Sequence, residues 1–178
     1  MDGLRIERPV SADLHSIDVV YEQAISLAFA DEGFSEEAAE EIEYKKSLVR
    51  KSIAVSDADT VYMVAKLDGK VIGTISFGPC GDDIKECTNN VLDYVGELGG
   101  LYVLPSYQGQ GVASALIRAM IQHLASIGVQ HFCLDCGLRE AQRKWRRKFG
   151  TPYMIANDYW GVGAHHMIWL CDVADWVR

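Results

Sequence analysis

No stretch of the 178 residues approaches 18 consecutive apolar positions, and Met1-Asp2-Gly3-Leu4-Arg5 is not a positively charged start leading into an apolar run. A helix long enough to span a bilayer has no candidate and neither has a secretory leader, so the expectation is a soluble, cytoplasmic protein without a membrane partner. Positive charge is also scarce, 17 Lys and Arg against 25 Asp and Glu, for a net charge of −8. That balance argues against a nucleic-acid partner held by phosphate neutralisation. A cationic partner is drawn in rather than repelled. The five cysteines, Cys80, Cys87, Cys133, Cys136 and Cys171, are odd in number and irregularly spaced, which suits free thiols better than a disulfide framework. Cys133 and Cys136 form a C-x-x-C inside Phe132-Cys133-Leu134-Asp135-Cys136, which reads as a strand. Residues three apart on a strand face opposite sides, so the pair reads as two ordinary thiols and no metal is expected.

What is present is enough apolar content, 49%, for one sizeable core, and residues 1–178 are expected to form a single domain. Leu4 to Arg8 alternates like a short strand closed by Pro9. Ser11 then stands as N-cap of a helix whose Leu14, Ile17, Tyr21, Ala24, Ile25 and Ala28 recur at helical spacing up to Gly33. Ser35 starts a second helix, to about Lys51, with Glu36 and Glu37 in its first turn; its glutamate-rich face is either solvated surface or the lining of an amine-attracting entrance. Val61–Lys66 and Lys70–Phe77 flank Asp68-Gly69, a dipeptide suited to the positive dihedrals of a tight hairpin. Pro79 to Tyr94 is polar and patternless, a candidate substrate-facing loop or short helix. Gly96–Val103 is a strand. After Pro105 comes a helix with Val112, Leu116, Met120, Leu124 and Ile127 on one face, ended by Gly128. Val129–Cys136 is a strand, Arg139–Lys148 a helix ended by Gly150, and Tyr153–Ile155 with His165–Cys171 a final strand pair.

This order predicts an α/β fold with a mixed sheet, mostly antiparallel, in which a crossover helix imposes a central parallel pair and helices flank the strands. No repeat, linker or low-complexity segment interrupts it.

The most informative segment is Leu101-Tyr102-Val103-Leu104-Pro105-Ser106-Tyr107 followed by Gln108-Gly109-Gln110-Gly111-Val112-Ala113. An apolar strand runs into a glycine-punctuated loop that opens directly into an amphipathic helix. Glycines let the backbone approach a bulky anion, and the amides of the first helical turn point at it along the positive end of the dipole, an arrangement that suits a pyrophosphate. Glycine-rich turns of this kind also occur for packing reasons, and on the physics alone both readings stand. No Lys-Ser or Lys-Thr follows the glycines and no G-x-G-x-x-G is formed, which disfavours ATP and dinucleotides.

At this segment the sequence resembles the GCN5-related N-acetyltransferase (GNAT) family, whose signature is Gln/Arg-x-x-Gly-x-Gly/Ala after a strand commonly ending Leu-Tyr-Val-x-Pro. Gln108, Gly111 and Ala113 fill the signature and Leu101 to Pro105 the strand. The resemblance is specific over Glu97 to Leu124 and extends over the chain through element order. It implies acetyl-CoA as co-substrate, with the segment Gln108, Gly109, Gln110, Gly111, Val112, Ala113, Ser114 holding the pyrophosphate through its amides. The backbone of Leu101, Tyr102 and Val103 would pair with the pantetheine arm. The implied activity is acetyl transfer to a primary amine of a small molecule or peptide; a non-catalytic module that senses acyl-CoA is the alternative.

A primary amine is protonated near neutral pH and must lose a proton before it attacks a thioester. Glu97 lies four residues before Leu101, and alternation puts Glu97, Gly99, Leu101 and Val103 on one face. By the resemblance Glu97 is the base; the other reading is an edge carboxylate near solvent. The family's usual acid, a tyrosine on the last helix, is missing. Arg139, Gln142, Trp145 and Arg146 occupy the positions of its asparagine, alanine, phenylalanine and tyrosine; Gly150 matches, and Thr151 replaces the final phenylalanine. An arginine can stabilise a thiolate but cannot supply a proton. Cys136, Tyr153, Tyr159 or solvent are the substitutes. The basic run Arg143, Lys144, Arg146, Arg147 and Lys148 either contacts CoA phosphates or forms a solvated face. Tyr159 and Trp160, in the loop between the last strands, are candidate acceptor contacts by resemblance, with aromatic packing as the equal alternative. His165 and His166 are adjacent on a strand, hence on opposite faces, and cannot share a metal. A homodimer stays open.

Overall fold

The computed structural model describes residues 3–55 and 58–177. It contains strands β1 (Arg5–Glu7), β2 (Val61–Leu67), β3 (Lys70–Gly78), β4 (Glu97–Val103), β5 (His131–Cys136), β6 (Met154–Ala156) and β7 (His166–Asp172). The helices are α1 (Leu14–Glu32), α2 (Ala38–Ala54), α3 (Asp82–Cys87), α4 (Val112–Ser126) and α5 (Arg139–Phe149). The strands are ordered β1-β2-β3-β4-β5-β7-β6. β1 with β2, β2 with β3, β5 with β7 and β6 with β7 are antiparallel, while β4 with β5 is parallel. This is the expected α/β fold with its mixed, mostly antiparallel sheet. Among the described residues no helix is long and apolar enough to cross a membrane.

The chain divides into two compact units, 1–77 with 100–123, and 78–99 with 124–178. β4 contributes to both, Gly100 to Val103 to the first and Glu97 to Gly99 to the second.

In the first unit, one core packs Ile17, Val20, Tyr21 and Ile25 of α1 with Ile42 and Val49 of α2 and with Tyr62, Val64 and Val71 of the hairpin. The helical spacing read in α1 is the stripe that meets it. Asp68 (φ 49°) and Gly69 (φ 77°) both take positive φ at the β2–β3 turn, the mirror-image turn that the Asp-Gly dipeptide predicts. Two starts differ from expectation. Ser11 to Asp13 form a single 3-10 turn ahead of α1, and the amide of Val10 is satisfied by Asp13 Oδ2 at 2.8 Å. The side chain that ties the entry down is therefore Asp13, which also meets Lys66 Nζ at 2.8 Å, rather than Ser11. Residues 35–37 are a turn, and α2 begins at Ala38 with no side-chain cap.

Within β4, Gly100 takes φ 58°, and a methyl group on it would come within 2.6 Å of Ser76 Oγ. Its carbonyl accepts a hydrogen bond from Thr74 Oγ1 at 2.8 Å. A left-handed residue interrupts the pleat, so the single face expected for Glu97, Gly99, Leu101 and Val103 does not carry through Gly100. Only glycine takes this conformation without strain, and only glycine leaves room for the serine. Gly100→Ala is expected to cost about 1–3 kcal/mol, read as a lower denaturant midpoint at unchanged slope.

The second unit has its own core of Cys80, Ile84, Leu92, Val95, Cys133 and Ile168. The patternless segment after Pro79 contains α3, capped by Gly81 in extended conformation. Phe149 at the end of α5 packs edge-on to Phe132 at 5.9 Å and to Trp176 at 4.8 Å. All five cysteines are free thiols. Cys133 is buried, its Sγ donating to the carbonyls of Val95 and Gly96, whereas Cys136 donates to Leu138 O. Burial pushes the Cys133 thiol well above its ordinary range and Cys171 to about 12, so neither is a ready thiolate.

Candidate active site

In the first unit, β4 runs through Leu104 into a 3-10 turn at Pro105–Tyr107, and Leu104 N donates to Ile72 O at 2.9 Å, fixing the strand exit. The loop that follows places Gly109 at φ 73° and Gly111 at φ 87°. Nothing lies within 4 Å of where a side chain would begin at either. The glycines are there for backbone conformation, and the space beside them is open. Helix α4 starts at Val112. Its Val112, Leu116, Met120 and Leu124 are at most 1% exposed, and burial of each such side chain contributes roughly 1.5–3 kcal/mol. That anchorage holds the first turn of the helix still. By helix geometry the amides of Val112, Ala113 and Ser114 have no intrahelical acceptor, since the first bond into the loop is Ala115 N to Gly111 O at 3.0 Å.

Gln108 and Gln110 act on the loop itself. Gln108 Nε2 donates to Val103 O at 3.1 Å and Gln110 Nε2 to Ser106 O at 2.8 Å, two braces that hold the glycines in their left-handed conformation. Leu101 and Tyr102 are half-buried and Val103 is buried. The Tyr102 ring stands edge-on to Tyr21 at 5.6 Å, and its hydroxyl donates to Glu41 Oε1 at 3.1 Å. One member of the glutamate-rich face of α2 thus fixes a residue of the strand.

In the second unit, half-buried Glu97 pairs in parallel register with Cys133, and its Oε2 accepts the amide of Gly81 at 2.8 Å. A methyl group on Gly81 would sit 2.7 Å from that oxygen. The carboxylate is therefore oriented by the start of α3, 16 residues earlier in the chain. Tyr159 and Trp160 come together, rings perpendicular at 4.8 Å. Tyr159 Oη lies 2.9 Å from Asp83 Oδ1 and 3.0 Å from Glu86 Oε2, both on α3. Burial first, then these two carboxylates, push the phenol far above its ordinary range. Its one proton is committed to the carboxylates, so Tyr159 is a poor substitute for the missing acid. Cys136 likewise spends its proton on Leu138 O. Tyr153 is 51% exposed.

On α5, Arg146 and Arg147 are exposed, Arg143 pairs with Glu140 at 2.9 Å, and Lys148 lies over the Trp176 ring at 6.0 Å. Gln142, at the position of the family's alanine, is buried and its Nε2 bridges Cys136 O at 2.9 Å and His165 O at 2.8 Å. The two histidines do part: exposed His165 Nδ1 accepts from Asp158 N at 3.0 Å, while His166 is 2% exposed and bound to Asp135. Sequence reasoning passed over Asp83, Glu86, Asp135 and His166 as site groups. Their charges stand within helix or strand patterns that alone look like ordinary surface, and only the alternation at 165–166 hinted that one histidine turns inward.

No curated protein sequence matches this chain. Solved structures do. A GNAT-family protein from Desulfovibrio desulfuricans superposes with a TM-score of 0.72 at 18% identity, covering 96% of this chain and 99% of that one. The PaiA N-acetyltransferase of Thermoplasma acidophilum, solved with coenzyme A, gives 0.67 at 15% identity over 95% and 98%. A GNAT family acetyltransferase of Brucella melitensis, solved with acetyl-CoA, gives 0.56 at 27% identity over 83% and 81%. The sequence profile of the acetyltransferase (GNAT) family matches residues 21–151, a span that takes in α1 to the end of α5 and with them the glycine loop and Glu97. With that match over most of its length, and with the fold to go with it, the chain belongs to the GNAT acetyltransferase family.

Proposed function

We propose that the protein transfers the acetyl group of acetyl-CoA to a primary amine of a small molecule or peptide, as a single domain, by direct attack in a ternary complex. The observation that carries this reading is the glycine loop. Left-handed Gly109 and Gly111, braced by two glutamines, open onto unfilled space at the first turn of a firmly packed helix, which fits a pyrophosphate. Acetyl-CoA supplies the activated thioester. The chain binds it through amides of Gln108 to Ser114, and the backbone of Leu101 to Val103 orients the pantetheine arm and polarises the thioester carbonyl. Glu97 takes the ammonium proton, directly or through water. The amine nitrogen then bonds to the carbonyl carbon as the carbon–sulfur bond breaks, and solvent protonates the departing thiolate.

Free-thiol release across a panel of amines, with calorimetric titration of CoA alongside, tests the proposal. Turnover with at least one amine is the expected result. CoA binding without turnover on any amine would instead support an acyl-CoA-sensing module. Arg146 is exposed in place of the usual tyrosine, so Arg146→Tyr is expected to leave turnover unchanged or raise it in the same assay. A large loss would give Arg146 a role of its own.

A further inference from the structure

Trp160 is 50% exposed, yet its indole is held from two directions. Nε1 donates to His166 Nδ1 at 3.0 Å. On another side the ring lies over the bare Cα of Gly137, where a methyl group would sit 2.7 Å from Nε1 and 3.0 Å from Cδ1. An indole nitrogen only donates, so Nδ1 of His166 carries no proton, and the imidazole proton sits on Nε2 facing Asp135 Oδ2 at 3.0 Å. Asp135 therefore selects the tautomer that can receive Trp160. His166 is 2% exposed and cannot turn away to water without giving up both bonds. The loop is stiffened further along: Gly163 N donates to Asp158 Oδ1 at 2.7 Å, and Trp160 N donates to Ala164 O at 3.0 Å.

A large aromatic face left half in solvent but already fixed in one rotamer loses little entropy when a ligand covers it, which is the property of a binding wall rather than of core packing. We infer that Trp160 is a specificity-determining contact for the acceptor amine, and that Gly137 and His166, locked by Asp135, are the positioning residues that hold it. This rests on the reading of the protein as an amine acetyltransferase.

The test uses the full chain and the best substrate among phenethylamine, spermidine and a lysine-containing tripeptide. Trp160→Phe, Gly137→Ala and His166→Ala are each expected to raise the KM for that amine by roughly threefold to tenfold, the range of one ordinary lost hydrogen bond, with CoA affinity unchanged. His166→Asn keeps one acceptor and one donor and is expected to hold most of the wild-type KM. Trp160→Phe combined with His166→Ala should be no worse than the more severe single change, because both remove the same bond. In nitrogen-edited NMR, the indole N–H signal that disappears in Trp160→Phe should move in His166→Ala. Should His166→Ala fail to fold, Trp160→Phe and Gly137→Ala decide the matter alone. An amine KM that does not move in those two folded variants overturns the inference while leaving the acetyltransferase reading intact. Absence of wild-type turnover on every amine overturns that reading and this inference together.

Discussion

Glu97→Gln lowers turnover at neutral pH by roughly a hundredfold or more and leaves CoA affinity where it was. A positioned general base contributes about 10² to 10⁴ in rate, and glutamine keeps the shape of the side chain but cannot take a proton. The structure makes glutamine the informative replacement. Glu97 Oε2 accepts the Gly81 amide at the start of α3, and the carbonyl oxygen of a glutamine can do the same, so the local structure survives. Alanine would remove base and brace together. The diagnostic feature is the pH profile of kcat/KM. As pH climbs toward the amine's own pKa, near 10 for a lysine-like acceptor, more substrate arrives deprotonated and the deficit of the variant shrinks. If instead the two profiles run parallel, the carboxylate serves only to hold Gly81, and the proton leaves by another route.

Gly111→Glu abolishes detectable CoA binding in calorimetric titration while the protein stays folded. Two effects are separable here. Gly111 has φ 87°, so any other residue carries a left-handed strain of about 1–2 kcal/mol, and Gly111→Ala measures that share alone. Alanine is expected to weaken CoA binding partially, since it disturbs the loop but adds no charge. Glutamate adds a carboxylate in the open space beside the first turn of α4, where it both occupies the anion site and repels a second anion. Retained affinity in a folded Gly111→Glu variant would remove the glycine loop from CoA recognition and with it the observation on which the functional proposal stands.

Much of the fold was legible in residues that act on their immediate neighbours. The Asp68-Gly69 hairpin, the apolar stripes of α1 and α4 and the glycines that stop helices depend on φ, ψ and a repeat of two or 3.6 residues, and each is complete within one turn or pleat. The glycine loop was read the same way, as was the parting of His165 and His166. Where local reading misplaced something, a side chain from a few residues on had intervened. Asp13 takes over the tie at the entry to α1, and Gly100, pressed against Ser76, breaks an alternation that the sequence of β4 leaves intact on paper.

By itself, then, the sequence determined the element order, the mixed sheet that follows from it, and the loop between β4 and α4 that marks the family. Tertiary structure alone decided which side chains meet. Tyr159 finds Asp83 and Glu86 across separations of 76 and 73 residues, and Asp135 and His166 meet across 31. Glu97 is turned toward Gly81 by a segment with no pattern of its own. These encounters depend on strand register and on the path of irregular loops, set by the packing of the whole core, and no periodicity along the chain encodes them.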